Sequence, residues 1–228
     1  FEGLFNEDRQ TLKDAREQQR KVQRWSNIIA ANTYKIFRLV NWQDADTTQR
    51  YAATLSSLQE ISESLRDIVV RAHLHVANNH SGLLEDQIED LKRVQTEVQE
   101  ILRRTGRALR EHDCPDCEEI AEKNRDLRIL VGQFDQKQIK RIQDNRSKTR
   151  LSILFYSLMW DCLKIAEQTF LPVMVCMDGF ILTHAYEPVD IPEQKEVDDF
   201  LPAFKPRHIV DPRWPRGIGL FADPRFYM

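Results

Sequence analysis

Residues 51–76, YAATLSSLQEISESLRDIVVRAHLHV, decide the fold. Within them Tyr51, Leu55, Leu58, Ile61, Leu65, Ile68, Ala72 and Val76 recur every three or four positions, the period that lines up one face of an α-helix. No proline interrupts the stretch. The first in the chain is Pro115, and the other eight all follow residue 171. Proline removes a backbone donor and clashes with the preceding turn, so residues 1–114 are free to form long helices.

The same period extends outward in both directions. Val22, Trp25, Ile29, Ile36 and Leu39 make a stripe on the N-terminal side; Ile88, Leu91, Val98, Ile101, Leu102 and Leu109 make the next after residue 76. Two more follow, through Ile120, Leu127, Leu130, Phe134 and Ile142, and through Leu151, Leu154, Phe155, Leu158, Cys162 and Ile165. Turn chemistry separates them. Asn41–Thr48 is polar and offers Asp46 and Thr47 as caps, Asn78–Gly82 ends a helix, and Asp113–Asp116 surrounds Pro115. Helices of about 25–30 residues, roughly 40 Å long at 1.5 Å per residue, each with one apolar stripe and a charged back, have to pack side by side. The expected fold is mainly α: an elongated antiparallel bundle of about five helices over residues 1–168.

After Phe170 the helical period gives way to prolines. Val173–Met177 and Phe180–His184 flank Asp178-Gly179, a dipeptide suited to a β-hairpin turn, and Glu193–Phe200 has room for a short helix. Residues 169–228 are therefore expected to be a Pro-rich irregular segment with one hairpin, too short for a core of its own. Charge divides the chain in the same way. Residues 1–169 hold 27 basic and 27 acidic side chains, whereas residues 170–228 hold 6 and 9.

The chain is 41% apolar and 30% charged with a net charge of −3, a balance that excludes a disordered polymer and gives no field calling for nucleic acid or an anionic membrane. No stretch reaches the roughly 20 apolar residues of a membrane span, and no secretory signal opens the chain. It begins at Phe1 inside what reads as helix, so an excerpt of a longer protein is expected. Four cysteines do not make a disulfide framework, and a cytoplasmic location is expected.

Three constellations offer chemistry. Glu63-x-x-x-Asp67 and Glu122-x-x-x-Asp126 each put two carboxylates one turn apart on a helix, an arrangement that can grip a metal ion in a bundle and is equally common on solvated faces. His112, Cys114 and Cys117 lie in His-Asp-Cys-Pro-Asp-Cys at a helix–helix corner. One C-x-x-C supplies half a zinc site, or a redox dithiol whose second thiol sits near a helix start, or merely a polar corner. Lys137, Lys140, Arg141, Arg146, Lys148 and Arg150 form a basic stretch without interleaved aromatic residues, which argues against nucleic acid. His73, His75 and His80 lack the i,i+4 spacing of a zinc pair and fit a helix end better. No nucleophile elbow or phosphate-cradling glycine loop is present, and seven glycines leave little room for one.

Two stretches resemble known families. His75-Val-Ala-Asn-Asn-His-Ser-Gly-Leu83, Asp86-Gln-Ile-Glu-Asp-Leu91, Gln138-Ile-Lys-Arg-Ile142 and Thr149-Arg150 with the apolar helix after them resemble, over residues 8–168, the cytosolic PhoU-like domain of Pit-type inorganic phosphate transporters. That resemblance implies a non-catalytic regulatory or scaffolding module of phosphate transport, at the cytosolic face of the inner membrane. Its partners would be a membrane-embedded phosphate permease or further copies of itself through its helices. The chain itself would need no cofactor. Family metal motifs pair Glu-x-x-x-Asp sites, and Asp161-x-x-x-Ile165 departs from them.

Leu171-Pro-Val-Met-Val-Cys-Met-Asp-Gly-Phe-Ile-Leu-Thr-His184, Glu187-Pro-Val-Asp-Ile-Pro192, Val197-Asp-Asp-Phe-Leu-Pro202 and Gly219–Met228 resemble, over residues 164–228, an interior segment of the alpha subunit of pyruvate (2-oxoacid):ferredoxin oxidoreductase. That family implies thiamine diphosphate and iron–sulfur clusters in the complete enzyme. The cysteine sets that hold such clusters are absent here, and no catalytic residue carries over. The join falls near Lys164–Phe170, where a natural fusion, an assembly artefact and an engineered chimera all fit. The main expectation is the phosphate-transport module; the alternative is a fragment of the oxidoreductase subunit.

Overall fold

The computed structural model describes residues 1–37, 45–111 and 114–177. The chain divides into two compact units, Phe1–Glu187 and Pro188–Met228, and every described residue belongs to the first. Its described residues form six helices: α1 (Glu2–Phe5), α2 (Arg9–Phe37), α3 (Ala45–Ala77), α4 (Glu85–Glu111), α5 (Cys117–Gln143) and α6 (Thr149–Met177). The five long ones correspond to the five stripes, so the mainly α bundle expected from the spacing is what forms.

Helix ends follow local chemistry. Asp8 accepts from the backbone N–H of Gln10 at 2.8 Å and of Thr11 at 3.3 Å, satisfying donors that the first turn of α2 leaves open. Asn79 and Asn145 adopt φ of 52° and 55° just past α3 and α5. There the His80 and Arg146 N–H groups reach back to the carbonyls of His75 and Arg141 at 3.2 and 2.9 Å, which closes each helix with a left-handed residue. The start of α3 at Ala45 places Asp46 and Thr47 inside its first turn instead of before it.

Cross-helix bonds fix the directions. Gln19 and Gln23 of α2 meet Ser62 of α3, while Arg9 reaches the carbonyl of Ala77, so the two helices run antiparallel. Arg71 meets Asp161 and Glu60 meets Lys164, making α3 and α6 antiparallel as well. Pairs between Glu97 and Lys123, and between Asp86 and Arg141, do the same for α4 and α5. Helix α6 lies centrally, against α3 on one side and against α4 and α5 on the other. Its Leu151, Leu154, Phe155, Leu158, Cys162 and Ile165 are all buried, as the stripe requires.

Two expectations are corrected. The stripe on α2 does not face the core: Val22, Trp25 and Ile29 are 38%, 44% and 45% exposed, while Leu12, Gln19, Ser26 and Ala30 are buried. Small and amide side chains fill that face because α2 docks through hydrogen bonds to Ser62 as well as apolar contact. Val173–Met177, read as the first hairpin strand, is the final part of α6. The buried series Leu158, Cys162, Ile165, Thr169 and Pro172 keeps the helical period past residue 168, and Pro172 is accommodated within the helix. Phe180–His184 and Glu193–Phe200 lie outside the described residues.

Candidate functional site

Among the described residues polar side chains concentrate at three places; of the sequence-predicted residues Glu63, Asp67, Cys114 and Cys117 fall on two of them, and Glu122 and Asp126 on none. On α3, Asp67 Oδ2 lies 3.4 Å from Arg71 Nη2, and Nη1 of the same guanidinium donates to Asp161 of α6 at 2.5 Å. Lys164 pairs with Glu60 alongside. Glu63 is half-buried on the same helix. A carboxylate already held by guanidinium is a poor cation ligand, because arginine supplies the positive charge itself. Among the described residues no three His, Cys, Asp or Glu side chains converge as a metal ion would need. Glu122 and Asp126 of α5 are both exposed.

Burial pushes the Asp161 carboxyl up to about 6; Arg71 opposes the rise and Asp67 adds to it. An acid whose folded value lies above its unfolded value binds protons more tightly when folded, so its contribution to stability declines as pH rises from about 4 to about 6. Replacing Asp161 with asparagine is expected to flatten the stability profile across that window by about 1–2 kcal/mol after allowance for solvent screening. Urea unfolding of both forms at pH 4, 5, 6 and 7 checks this. Parallel profiles would show that Asp161 does not titrate there.

The second place is the corner between α4 and α5. Cys114 and Cys117 are joined as a disulfide, so neither sulfur is the thiolate that zinc ligation requires. The motif's two sulfurs are thus bonded to each other, and His112 lies outside the described residues. Cys114 is 6% exposed and belongs to the core, whereas Cys117 is half-buried and opens α5. Asp116 sits at the cap position without capping, because Arg104 and Arg107 of α4 hold its carboxylate at 3.2 and 2.8 Å. Arg104 also binds Glu100 at 2.7 Å and Glu119 at 2.6 Å. A disulfide closing four residues removes chain entropy worth only about 2 kcal/mol, against about 4.7 for a 100-residue loop. The contacts of Arg104 and Arg107 with Asp116, and of Arg104 with Glu119, tie the two helices across this corner beside it.

The third place was not foreseen. Gln87, Asp90, Gln138, Arg141, Ser147 and Ser152 are all buried between α4, α5 and the start of α6. Gln87 Nε2 donates to Gln138 Oε1 at 2.9 Å, and Gln138 Nε2 donates to Ser147 and Ser152 at 2.9 and 3.0 Å. Arg141 reaches Asp86 at 3.0 Å and Asp90 at 2.7 Å, and Lys137 adds a bond to Asp90 at 3.1 Å. Arg146 also pairs with Asp86, and Arg150 contacts the His80 ring at 3.0 Å. Much of the basic stretch is thus neutralised within the bundle. His75 is buried with its Nε2 3.0 Å from the Ser81 carbonyl, the helix-end role its spacing suggested. The signal available in sequence was the collinear pair of segments 86–90 and 138–141, whose polar residues fall where apolar ones would continue the stripe.

Comparisons with known proteins concern the other end of the chain. Residues 155–228 match the family of the thiamine diphosphate-binding region of pyruvate flavodoxin/ferredoxin oxidoreductase. Pyruvate synthase subunit PorA of Methanothermobacter thermautotrophicus is 60% identical over 62 residues, which are 27% of this chain and 16% of that protein. The PorA subunit of Methanosarcina barkeri is 54% identical over 66 residues, 28% of this chain and 16% of its own length. That of Pyrococcus horikoshii is 41% identical over 87 residues, 38% of this chain and 21% of its own. The chain thus spans about a fifth or less of these relatives. No solved structure matches.

These matches overturn the main functional expectation. The family match covers residues 155–228, and none of the matches supports the phosphate-transporter resemblance or the leaning toward a non-enzyme. Part of the segments that carried that resemblance, Asp86, Gln87, Asp90, Gln138 and Arg141, belongs to the buried network. Polar residues that tie three helices together explain the pattern without a transport role. The expected place beside a permease at the inner membrane loses its basis with it.

Proposed function

We propose that this chain contributes part of the alpha subunit of a 2-oxoacid:ferredoxin oxidoreductase, with pyruvate as the substrate of the assembled enzyme. The observation that carries the reading is the 60% identity to a pyruvate synthase subunit over 62 residues, beside the match of residues 155–228 to the oxidoreductase family. Among the described residues no helix is long and apolar enough to cross a membrane, which accords with a cytoplasmic enzyme. Sequence resemblance sets the proposed division at 168/169, while α6 itself runs through that point.

Thiamine diphosphate belongs to the proposal for the assembled enzyme, and the described part of the matched stretch does not fit it. On α6, Asp161, Lys164 and Glu167 are taken by Arg71, Glu60 and Arg128, and the Thr169 hydroxyl donates to the Ile165 carbonyl at 2.6 Å. The remaining buried face is apolar. Nothing there cradles a diphosphate, and no catalytic step is assigned to these residues.

The isolated chain, given pyruvate, thiamine diphosphate, magnesium and a viologen acceptor, is expected to release no carbon dioxide, because such chemistry needs a cofactor held against its substrate. Release that stops when thiamine diphosphate is withheld would show a complete catalytic unit and overturn the reading of a part.

A further inference from the structure

The disulfide at the α4–α5 corner is placed for exchange more than for stapling. Its two cysteines are three positions apart, so it closes too small a loop to constrain the unfolded chain much. The corner has independent support from Arg104 and Arg107 on Asp116, and so keeps its shape when the sulfur bond opens. The two sulfurs differ sharply in access: Cys114 is 6% exposed within the core, and Cys117 is half-buried beside the exposed Pro115. Cys117 is the first residue of α5, a helix of 27 residues.

We propose that Cys114–Cys117 is a thiol–disulfide exchange site for a dithiol reductant, entered through the sulfur of Cys117. The donor thiolate attacks Cys117 Sγ, the bond to Cys114 breaks, and its electron pair goes to Cys114 Sγ, which takes a proton from water. The donor's second thiolate then attacks its own sulfur in the mixed disulfide and releases the Cys117 thiolate at the helix start. Net, the chain gains two electrons and, once water protonates the Cys117 thiolate, two protons, and the dithiol becomes a disulfide. If the protein is cytoplasmic, as proposed above, a disulfide there is more often transient than structural. Cys162, buried and with its thiol pushed up to about 12 by that burial, serves as an unreactive internal reference.

The full chain is titrated with reduced and oxidised dithiothreitol, quenched in acid, alkylated after unfolding and mapped by peptide mass. Cys114 and Cys117 are expected to be blocked without reductant and to become alkylatable together in one two-electron transition while the chain stays folded by circular dichroism. Alkylation without reductant, or resistance to reductant until the helices unfold, would overturn the proposal. Treated with glutathione disulfide, C114S is expected to form a mixed disulfide at Cys117 at least about tenfold faster than C117S does at Cys114. Equal rates would contradict entry through Cys117. If C114S fails to fold, C114A takes its place, and the titration of the unaltered chain decides the matter by itself.

Discussion

Replacing Arg141 with methionine lowers the unfolding free energy by about 3–5 kcal/mol, the usual cost of stranding one member of a buried ion pair. Arg141 and Asp90 are each only 5% exposed at their side chains and lie 2.7 Å apart. Methionine keeps much of the volume but leaves Asp90 with the more exposed Lys137 alone, and removes the donor 3.2 Å from Gln138 Oε1. The loss is expected to be partly restored by adding Asp90→Asn, because the stranded charge disappears with it. Urea unfolding followed by circular dichroism measures both variants. A loss for R141M below about 1 kcal/mol would place the pair in the range of solvated surface bridges and contradict the account of the network.

Phe155→Ala is expected to cost about 3–5 kcal/mol, as truncation of a well-packed aromatic core residue usually does. Phe155 is fully buried, and the Arg141 guanidinium lies 5.5 Å from its ring centre. It is also the first residue of the family match. The oxidoreductase-like stretch therefore begins inside the helix that fills the centre of the bundle, and loss of this one ring reports whether α6 is a true core element. A cost under about 1 kcal/mol would mean that the site collapses around the gap or that α6 packs loosely.

Periodicity revealed what depends on burial of apolar side chains. The stripes on α3, α5 and α6 led directly to Ile68, Phe134 and Phe155, and Asn78–Gly82 marked the end of α3 because a left-handed asparagine closes it there. Periodicity misled where polar residues took the inner face. On α2, Gln19, Ser26 and Ala30 pack inward while Trp25 stays out, and no hydrophobic pattern signals that choice. Gln87 and Gln138 fall in register with the stripes of α4 and α5, but their pairing is not legible, since they are distant in sequence and each alone reads as a solvated amide. Asp178-Gly179 suggested a hairpin, but turn propensity says little about whether the preceding residues continue a helix, and Val173–Met177 do. For the site, the spacing of Glu63 and Asp67 correctly put them on one helix. It did not show that Arg71 engages Asp67 together with Asp161, because that contact joins helices 90 residues apart.

The functional reading is tested most directly by exchange of the matched segment. In the pyruvate synthase alpha subunit of Methanothermobacter thermautotrophicus, the residues aligned with 155–228 of this chain are replaced by them, and the hybrid is assembled with its remaining subunits. Thiamine-dependent viologen reduction by pyruvate is expected at no less than about a tenth of the parent rate, a barrier change within about 1.4 kcal/mol. A hybrid that assembles but does not turn over, or that fails to assemble where the same exchange from the Methanosarcina barkeri subunit succeeds, would contradict the proposed role.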